Sequence, residues 1–334
     1  MRISNLVFLL GLAGAVAAQP PRGYPILGKI VREDPALDRL ILPGVGVEVL
    51  GSGFEWSEGP VWDRARGRLL FSDIPRNSIY QWSPDGGVEL FMKPSGYTGV
   101  GAYGREPGSN GLLIDAGGRL YTMEHGDRRV AVMPPGSGKI TVADRWEGKR
   151  LNSPNDGAFH SSGALYFTDP PYGLPKGAED PARELDFCGV YRWADGRLTL
   201  LTKELSRPNG IAFSPDYKTL YVANSDPKRA VWLAFPVQQD GALGPGRVLA
   251  DVTSMVGRDF PGLPDGLKVD RDGNLWATGP GGVHIMTPAG KRLGRIDTGE
   301  ATANVAWGDD GGTLYITADM YLGRLRTNTK GAGW

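Results

Sequence analysis

A strand–turn–strand phrase, written six times, constrains this chain more than any other feature. Its clearest copy is Leu151–Gly173, LNSPNDGAFHSSGALYFTDPPYG. A polar approach, Asn155-Asp156-Gly157, leads into a short apolar run. A Ser-Ser-Gly turn follows, and the strand Leu165–Thr168 stops at Asp169. Glu58-Gly59 opens PVWDRARGRLLFSD, and Asn110-Gly111 opens LLIDAGGRLYTME. Asn209-Gly210 opens IAFSPDYKTLYVAN, and Asp265-Gly266 opens LKVDRDGNLWATG. Asn304 opens VAWGDDGGTLYITAD, with Val305 in the place of Gly. The copies recur every 40–55 residues or so, roughly the period of propeller blades.

Each copy holds two strands joined by an Asp/Gly-rich turn, a hairpin signature. More strand text follows. After Leu165–Thr168 come Val190–Trp193, the turn Ala194-Asp195-Gly196, and Leu198–Leu201. About four antiparallel strands per unit make a blade, so the sequence predicts an all-β, six-bladed β-propeller over residues 45–334. A solenoid would also repeat, but usually at a shorter period and without paired hairpins. Val45–Leu50 alternates like a strand, and the last copy ends early, at Tyr321–Arg326. The N-terminal strand is therefore expected to complete the C-terminal blade, which removes free sheet edges.

The heads of the copies are the place to look for chemistry. The first strand of a blade lies nearest the central axis, where Gly lets backbones approach closely. The residue before it then faces the channel. Glu58, Asn110, Asn155, Asn209, Asp265 and Asn304 all carry side-chain oxygen, and converging carboxylate and amide oxygens suit a hard divalent cation such as Ca²⁺. The plainer reading is that Asn-Gly and Asp-Gly are turn residues. It is weaker for six copies in register than for any one of them.

Met1–Ala18, MRISNLVFLLGLAGAVAA, has one Arg, an apolar run and a small-x-small end, as in a secretory signal peptide. The apolar run is short for a membrane span. An exported chain, periplasmic or secreted, is the expectation. Gln19–Gly44 is Pro-rich and reads as an irregular N-terminal arm across the surface. Acidic and basic residues balance at 37 each, so nothing suggests nucleic acid or an anionic membrane as partner. The single cysteine, Cys188, cannot form an internal disulfide and reads as a small buried apolar residue. No Cys/His cluster suits structural zinc. A monomer or weak dimer is expected.

Three places depart from the repeat. Pro94–Asn110 is a long Gly-rich insertion leading into Asn110, either a lid beside the channel or a surface loop. Glu124-His125 replaces the usual Asp or Asn at the end of a second strand, which makes His125 a candidate ligand contact. Arg128 and Arg129 read as surface or blade-edge ion pairs. Tyr172, stiffened by Pro170-Pro171, could stack on a sugar-like ring or fill the core.

Several phrases together resemble the senescence-marker-protein/gluconolactonase/luciferin-regenerating-enzyme family. They are Ser57-Glu58-Gly59-Pro60-Val61-Trp62, Gly108-Ser109-Asn110-Gly111, Glu124–Val130, Ser153-Pro154-Asn155-Asp156, Tyr166–Gly173, Arg207-Pro208-Asn209-Gly210 and Pro264-Asp265-Gly266. The pattern is most similar to the bacterial exported gluconolactonase-like branch. The resemblance implies one divalent metal in the channel, held by Glu58, Asn155, Asn209 and Asp265, with Asn110 at a substrate-contacting position. It implies that Asp265 serves as ligand and as base or nucleophile. His125, Tyr172 and Asn304 complete the expected substrate-binding set. Ca²⁺ is the favoured ion, with Mg²⁺, Mn²⁺ or Zn²⁺ as substitutes.

The expected activity is metal-dependent hydrolysis of a sugar lactone, with a small-molecule lactone as substrate. Hydrolysis of other esters or of phosphotriesters by the same site is a second reading, which the Asn304 region disfavours because some phosphotriesterase-type relatives have His there. A non-enzymatic binding propeller is a third, since fold does not fix function. The oxygen-rich ring argues against an apolar or basic binding mouth.

Overall fold

The computed structural model describes residues 23–334. The expected signal peptide, Met1–Ala18, lies outside the described residues. Six antiparallel sheets of four or five strands follow in chain order and form the blades of a β-propeller, as the repeat predicts. The innermost strands are Ser57–Asp63, Ser109–Ile114, Gly157–Phe159, Pro208–Phe213, Leu267–Val269 and Thr302–Gly308. A small ribbon, Arg145–Trp146 with Lys149–Arg150, sits between the second and third blades.

The ring closes as expected. Val47–Ser52 pairs antiparallel with Tyr321–Arg326 and supplies the fourth strand of the last blade. From Gly23 onward the Pro-rich arm is more ordered than its composition implies. Ile26–Leu27 adds a fifth strand to the last blade, and Lys29–Arg32 adds one to the fifth. The 3₁₀ turn Pro35–Arg39 follows, capped by Asp34, whose Oδ1 accepts from the Ala36 amide at 2.8 Å. Leu37 and Ile41 are fully buried against the fifth and sixth blades. A four-residue strand beside prolines carries too little periodicity to be read in advance.

The core is a set of wedges between blades. Trp276 and Ile285 of the fifth blade pack with Leu314 and Ile316 of the sixth. Leu69, Phe71 and Trp82 of the first meet Tyr315 and Leu322 of the sixth. Second strands are thus buried on both faces, which is why LLF, LYFT and LYIT read as nearly continuous apolar runs. Cys188 is buried and unpaired, and burial pushes its thiol up to about 12.

The Asx-Gly heads do what close approach requires. A Cβ at Gly59 would overlap the Asn110 carbonyl, and one at Gly210 would overlap the Asp265 carbonyl. The inner strands also shift register near these heads, between Glu58 and Val61, Ser109 and Leu112, and Pro208 and Ile211. Such bulges re-aim a side chain, here that of the residue before the Gly. Gly210→Ala is expected to destabilise the fold by ~1–3 kcal/mol, the cost of overpacking a tight contact. An unchanged urea midpoint would show that the two blades separate freely.

Candidate active site

The heads of five inner strands meet at a cavity of about 340 Å³. Glu58, Asn110, Asn155, Asn209 and Asp265 line it, each from a different blade. Trp56, Glu106, Tyr172, Leu263 and Thr302 contribute to its walls.

The oxygen atoms here are unusual in lacking donors. Asn110 Oδ1, Asn155 Oδ1, Asn209 Oδ1 and Asp265 Oδ1 are all buried without a hydrogen-bond partner. A buried acceptor left unpaired costs about 1–3 kcal/mol, and most such atoms in folded proteins are satisfied. Four orphans from four blades, all on one cavity, mark a place built for a positively polarised ligand.

Charge points the same way. Burial pushes the Glu58 carboxyl up to about 7, with the charge of Asp156 adding to the rise. Asp265 is held well above the usual carboxylate range, first by burial and then by Glu58, Asp156 and Glu106. Asp156 is raised by burial and partly relieved by Lys268, whose Nζ stands 3.8 Å from Asp156 Oδ2. Three buried or half-buried carboxyls beside one ammonium leave an excess of negative charge. Protons or a cation must offset it. Carboxylate and amide oxygens are the donors that Ca²⁺ and other hard cations take. Glu58, Asn155, Asn209 and Asp265 therefore fit the metal-holding role that the family resemblance implies. No three His, Cys, Asp or Glu side chains among the described residues are placed to hold one metal ion together, so amide oxygens have to complete the set.

The other candidates fall in different places. Tyr172 lines the cavity, and its hydroxyl donates to the Ser225 carbonyl at 3.2 Å. Asn304 lies off the cavity wall. Its Nδ2 donates to Glu58 Oε2 at 3.1 Å and to Asp156 Oδ2 at 3.4 Å, while its Oδ1 accepts from the Val305 amide at 2.8 Å. With these atoms engaged it braces Glu58 from below. His125 is fully buried behind Glu106, its Nδ1 3.2 Å from Glu106 Oε2. Glu106, in the Pro94–Asn110 loop, is what reaches the cavity. Arg129 forms the expected ion pairs, 2.6 Å to Glu124 and 3.4 Å to Asp127. Arg128 does not. It is buried, and it donates to the carbonyls of Leu151, Asn152 and Ala182.

Sequence reading missed Asp156, Lys268, Glu106 and Trp56. One signal existed for Lys268. It puts a charge inside an inner strand where the fourth copy has Ala212. Glu106 carried none, because a Gly-rich loop has no period from which to infer direction.

The fold and this oxygen-lined cavity define a six-bladed propeller with a cation-suited site on its axis. Residues 56–319 match the SMP-30/Gluconolactonase/LRE-like region, and the chain belongs to that family. It is 40% identical over 324 residues to a gluconolactonase of Zymomonas mobilis subsp. mobilis, covering 95% of this chain and 91% of that one. It is 26% identical over 285 residues to a pentonolactonase of Haloferax volcanii, covering 80% and 83% of the two chains. The solved structure of a gluconolactonase from Xanthomonas campestris superposes with a TM-score of 0.78 at 32% identity, covering 92% of this chain and 99% of that one.

The carboxyl cluster sets a pH dependence for the metal-free protein. Glu58 ionises near 4.5 when unfolded and at about 7 when folded. Between those values the folded state holds more protons, so stability falls as pH rises. From pH 5 to pH 8 a loss on the order of 2 kcal/mol is expected in urea titrations, and saturating Ca²⁺ should flatten the profile. Stability rising with pH in chelator would contradict the buried, protonated state of Glu58.

Proposed function

We propose that this protein opens sugar lactones by hydrolysis, with a divalent cation, Ca²⁺ foremost, held by Glu58, Asn155, Asn209 and Asp265. That it is a lactone-hydrolysing enzyme rests on its family and on the gluconolactonase at 40% identity. The observation that carries the site assignment is the group of unpartnered oxygens of Asn110, Asn155, Asn209 and Asp265 around one cavity.

A cation held by Glu58, Asn155, Asn209 and Asp265 would supply Lewis-acid polarisation of the lactone carbonyl and stabilise negative charge developing on its oxygen. The chain's own residues do the rest. Beside a cation the ionised form of Asp265 is favoured, so it enters the reaction as a carboxylate. As general base it takes a proton from the attacking water. The water oxygen bonds to the carbonyl carbon, the ring C–O bond breaks, and the leaving ring oxygen takes the proton that Asp265 had accepted. A strained lactone asks little of the base, so a weak one suffices. Asn110 and Tyr172 border the same cavity and are positioned to meet substrate hydroxyls. Trp56 and Leu263 give it apolar walls against the flat of a sugar ring.

We also read the chain as exported, on the strength of the Met1–Ala18 pattern. N-terminal sequencing of protein from the periplasm or medium should begin close to Gln19. No helix of the described residues is long and apolar enough to cross a membrane.

The deciding experiment is pH-stat hydrolysis of glucono-δ-lactone and a pentonolactone by metal-stripped and reconstituted protein. Rates should return with Ca²⁺, Mg²⁺, Mn²⁺ or Zn²⁺. Asp265→Ala should cost on the order of 10²–10⁴-fold. Full rate in Asp265→Ala, or in chelator, would end this mechanism.

A further inference from the structure

The second strands of the blades tend to end in Asp or Asn, a habit that the proposed mechanism does not use. In the first blade Asp73 closes the strand, and its carboxylate accepts the amides of Glu55 and Trp56 at 3.2 Å. In the third, Asp169 accepts the amides of Asn152 and Ser153, each at 2.8 Å. In the fourth, Asn224 Oδ1 accepts the Arg207 amide at 2.9 Å. Asp73, Asp169 and Asn224 are all fully buried. In each case the last amide held lies two residues before a cavity residue: Trp56 before Glu58, Ser153 before Asn155, Arg207 before Asn209. In extended chain, residues two apart face the same side. Fixing one amide therefore fixes the direction of the side chain that follows.

The other three blades lack this bond. Glu124 of the second turns its carboxylate to Arg129 and Lys139, both at 2.6 Å. The fifth ends at Gly279 and has no such side chain; the Asp265 amide is held by the Thr278 carbonyl at 3.1 Å, as the Asn155 amide of the third blade is by the Thr168 carbonyl at 2.9 Å. In the sixth, half-exposed Asp319 offers its backbone carbonyl to Ser57. The bond thus occurs in the blades that carry Glu58, Asn155 and Asn209, where the lead-in residues just precede the strand ladder; in two of them a single backbone bond joins it, the Ile74 amide to the Trp56 carbonyl at 3.3 Å and the Ser225 amide to the Arg207 carbonyl at 2.9 Å.

We propose that Asp73, Asp169 and Asn224 are positioning residues, each clamping the lead-in of its blade so that Glu58, Asn155 and Asn209 converge on one cation. The proposal rests on the reading of these three as cation ligands. Arg76, 3.4 Å from Asp73, backs the first clamp. Arg128 backs the third-blade clamp from the carbonyl side, binding the Leu151 and Asn152 oxygens of the segment whose amides Asp169 holds. The same segment is gripped through both of its polar edges.

The test combines calcium titration by isothermal calorimetry with amide hydrogen exchange, on the metal-stripped full chain. Asn224→Ala is the cleanest variant because it removes a neutral group. It should weaken calcium binding about 10–100-fold, the usual effect of losing a group that orients a ligand. Exchange should accelerate at residues 204–209, while the outer strands of the same blade stay protected. Asn224→Asp keeps the oxygen that accepts the Arg207 amide but loses the donor to the Arg229 carbonyl, so it should recover slow exchange at Arg207 and part of the affinity. Asp169→Asn should lose part of the affinity, since each carboxylate oxygen of Asp169 holds one amide and Asn keeps a single acceptor, and Asp169→Ala should lose more. Asp319→Asn, in a blade without the bond, should change neither readout. Unchanged affinity with unchanged exchange in Asn224→Ala overturns the proposal, as does faster exchange spread over the whole blade. If the parent protein takes up no divalent ion, the cation reading fails. Exchange alone then decides the clamp: local acceleration at residues 204–209 sustains it, and none refutes it. Asn224→Ala carries the decision even where Asp169→Ala does not fold.

Discussion

Everything in this protein depends on how tightly the inner strands approach one another around the axis. The Gly111 amide donates to the Asn155 carbonyl of the next blade at 2.7 Å, and the Gly266 amide to the Ala303 carbonyl at 2.8 Å. Hydroxyls of the second strands make the same step: Ser72 Oγ reaches the Asn110 carbonyl at 2.8 Å, and Thr168 Oγ1 the Asn209 carbonyl at 2.7 Å. The backbone that carries each cavity side chain is thus held by the blade beside it. Closing the ring and building the site are one event, and the closing strand Val47–Ser52 matters to both.

The arrangement has a cost at its centre. Glu58, Asp156 and Asp265 stand together out of bulk water, where ionised carboxyls repel and lose hydration. Asn304 offsets part of this by bridging Glu58 and Asp156, and Lys268 offsets part by its charge. The remaining oxygens are left without donors. Proteins keep such strained polar groups where function needs them, and here the excess negative charge is what a divalent cation would relieve. The surrounding ring of interblade bonds makes the concentration of charge tolerable.

Much of this was legible in the chain. The six-fold phrase gave the propeller, its Gly residues the close approach, and the polar heads of the copies a set of five that do line one cavity. The sixth, Asn304, serves as a brace instead: it stands level with Gly266 and Asp156 rather than with the five cavity residues, and from there it bonds both Glu58 and Asp156. His125 was singled out as a break in the repeat. The break is real, but its ring lies behind Glu106, a loop residue that sequence pattern could not place. The arm from residue 19 to 44 looked irregular because its strands are too short to show a period, and only the exposed edges of the fifth and sixth blades give them something to pair with.

Sequence alone determined the architecture, since a repeat fixes which residues are equivalent and alternation fixes which face is apolar. It also named the chemistry of the axis, because an oxygen-bearing residue stands at the head of every copy, directly before Gly in four of them. What equivalent residues then do was decided by tertiary structure. Asp156 and Asn304 occupy the same place, each with its amide on the threonine hydroxyl of its second strand and its Oδ1 accepting the next amide. One has the Lys268 ammonium beside it, and the other bridges Glu58 and Asp156. The same holds for Asp73, Asp169 and Asp319 at the strand ends. Local sequence sets the type of group, but its role depends on which donors and charges lie within about 3 Å of it, and those come from distant parts of the chain only when the ring closes.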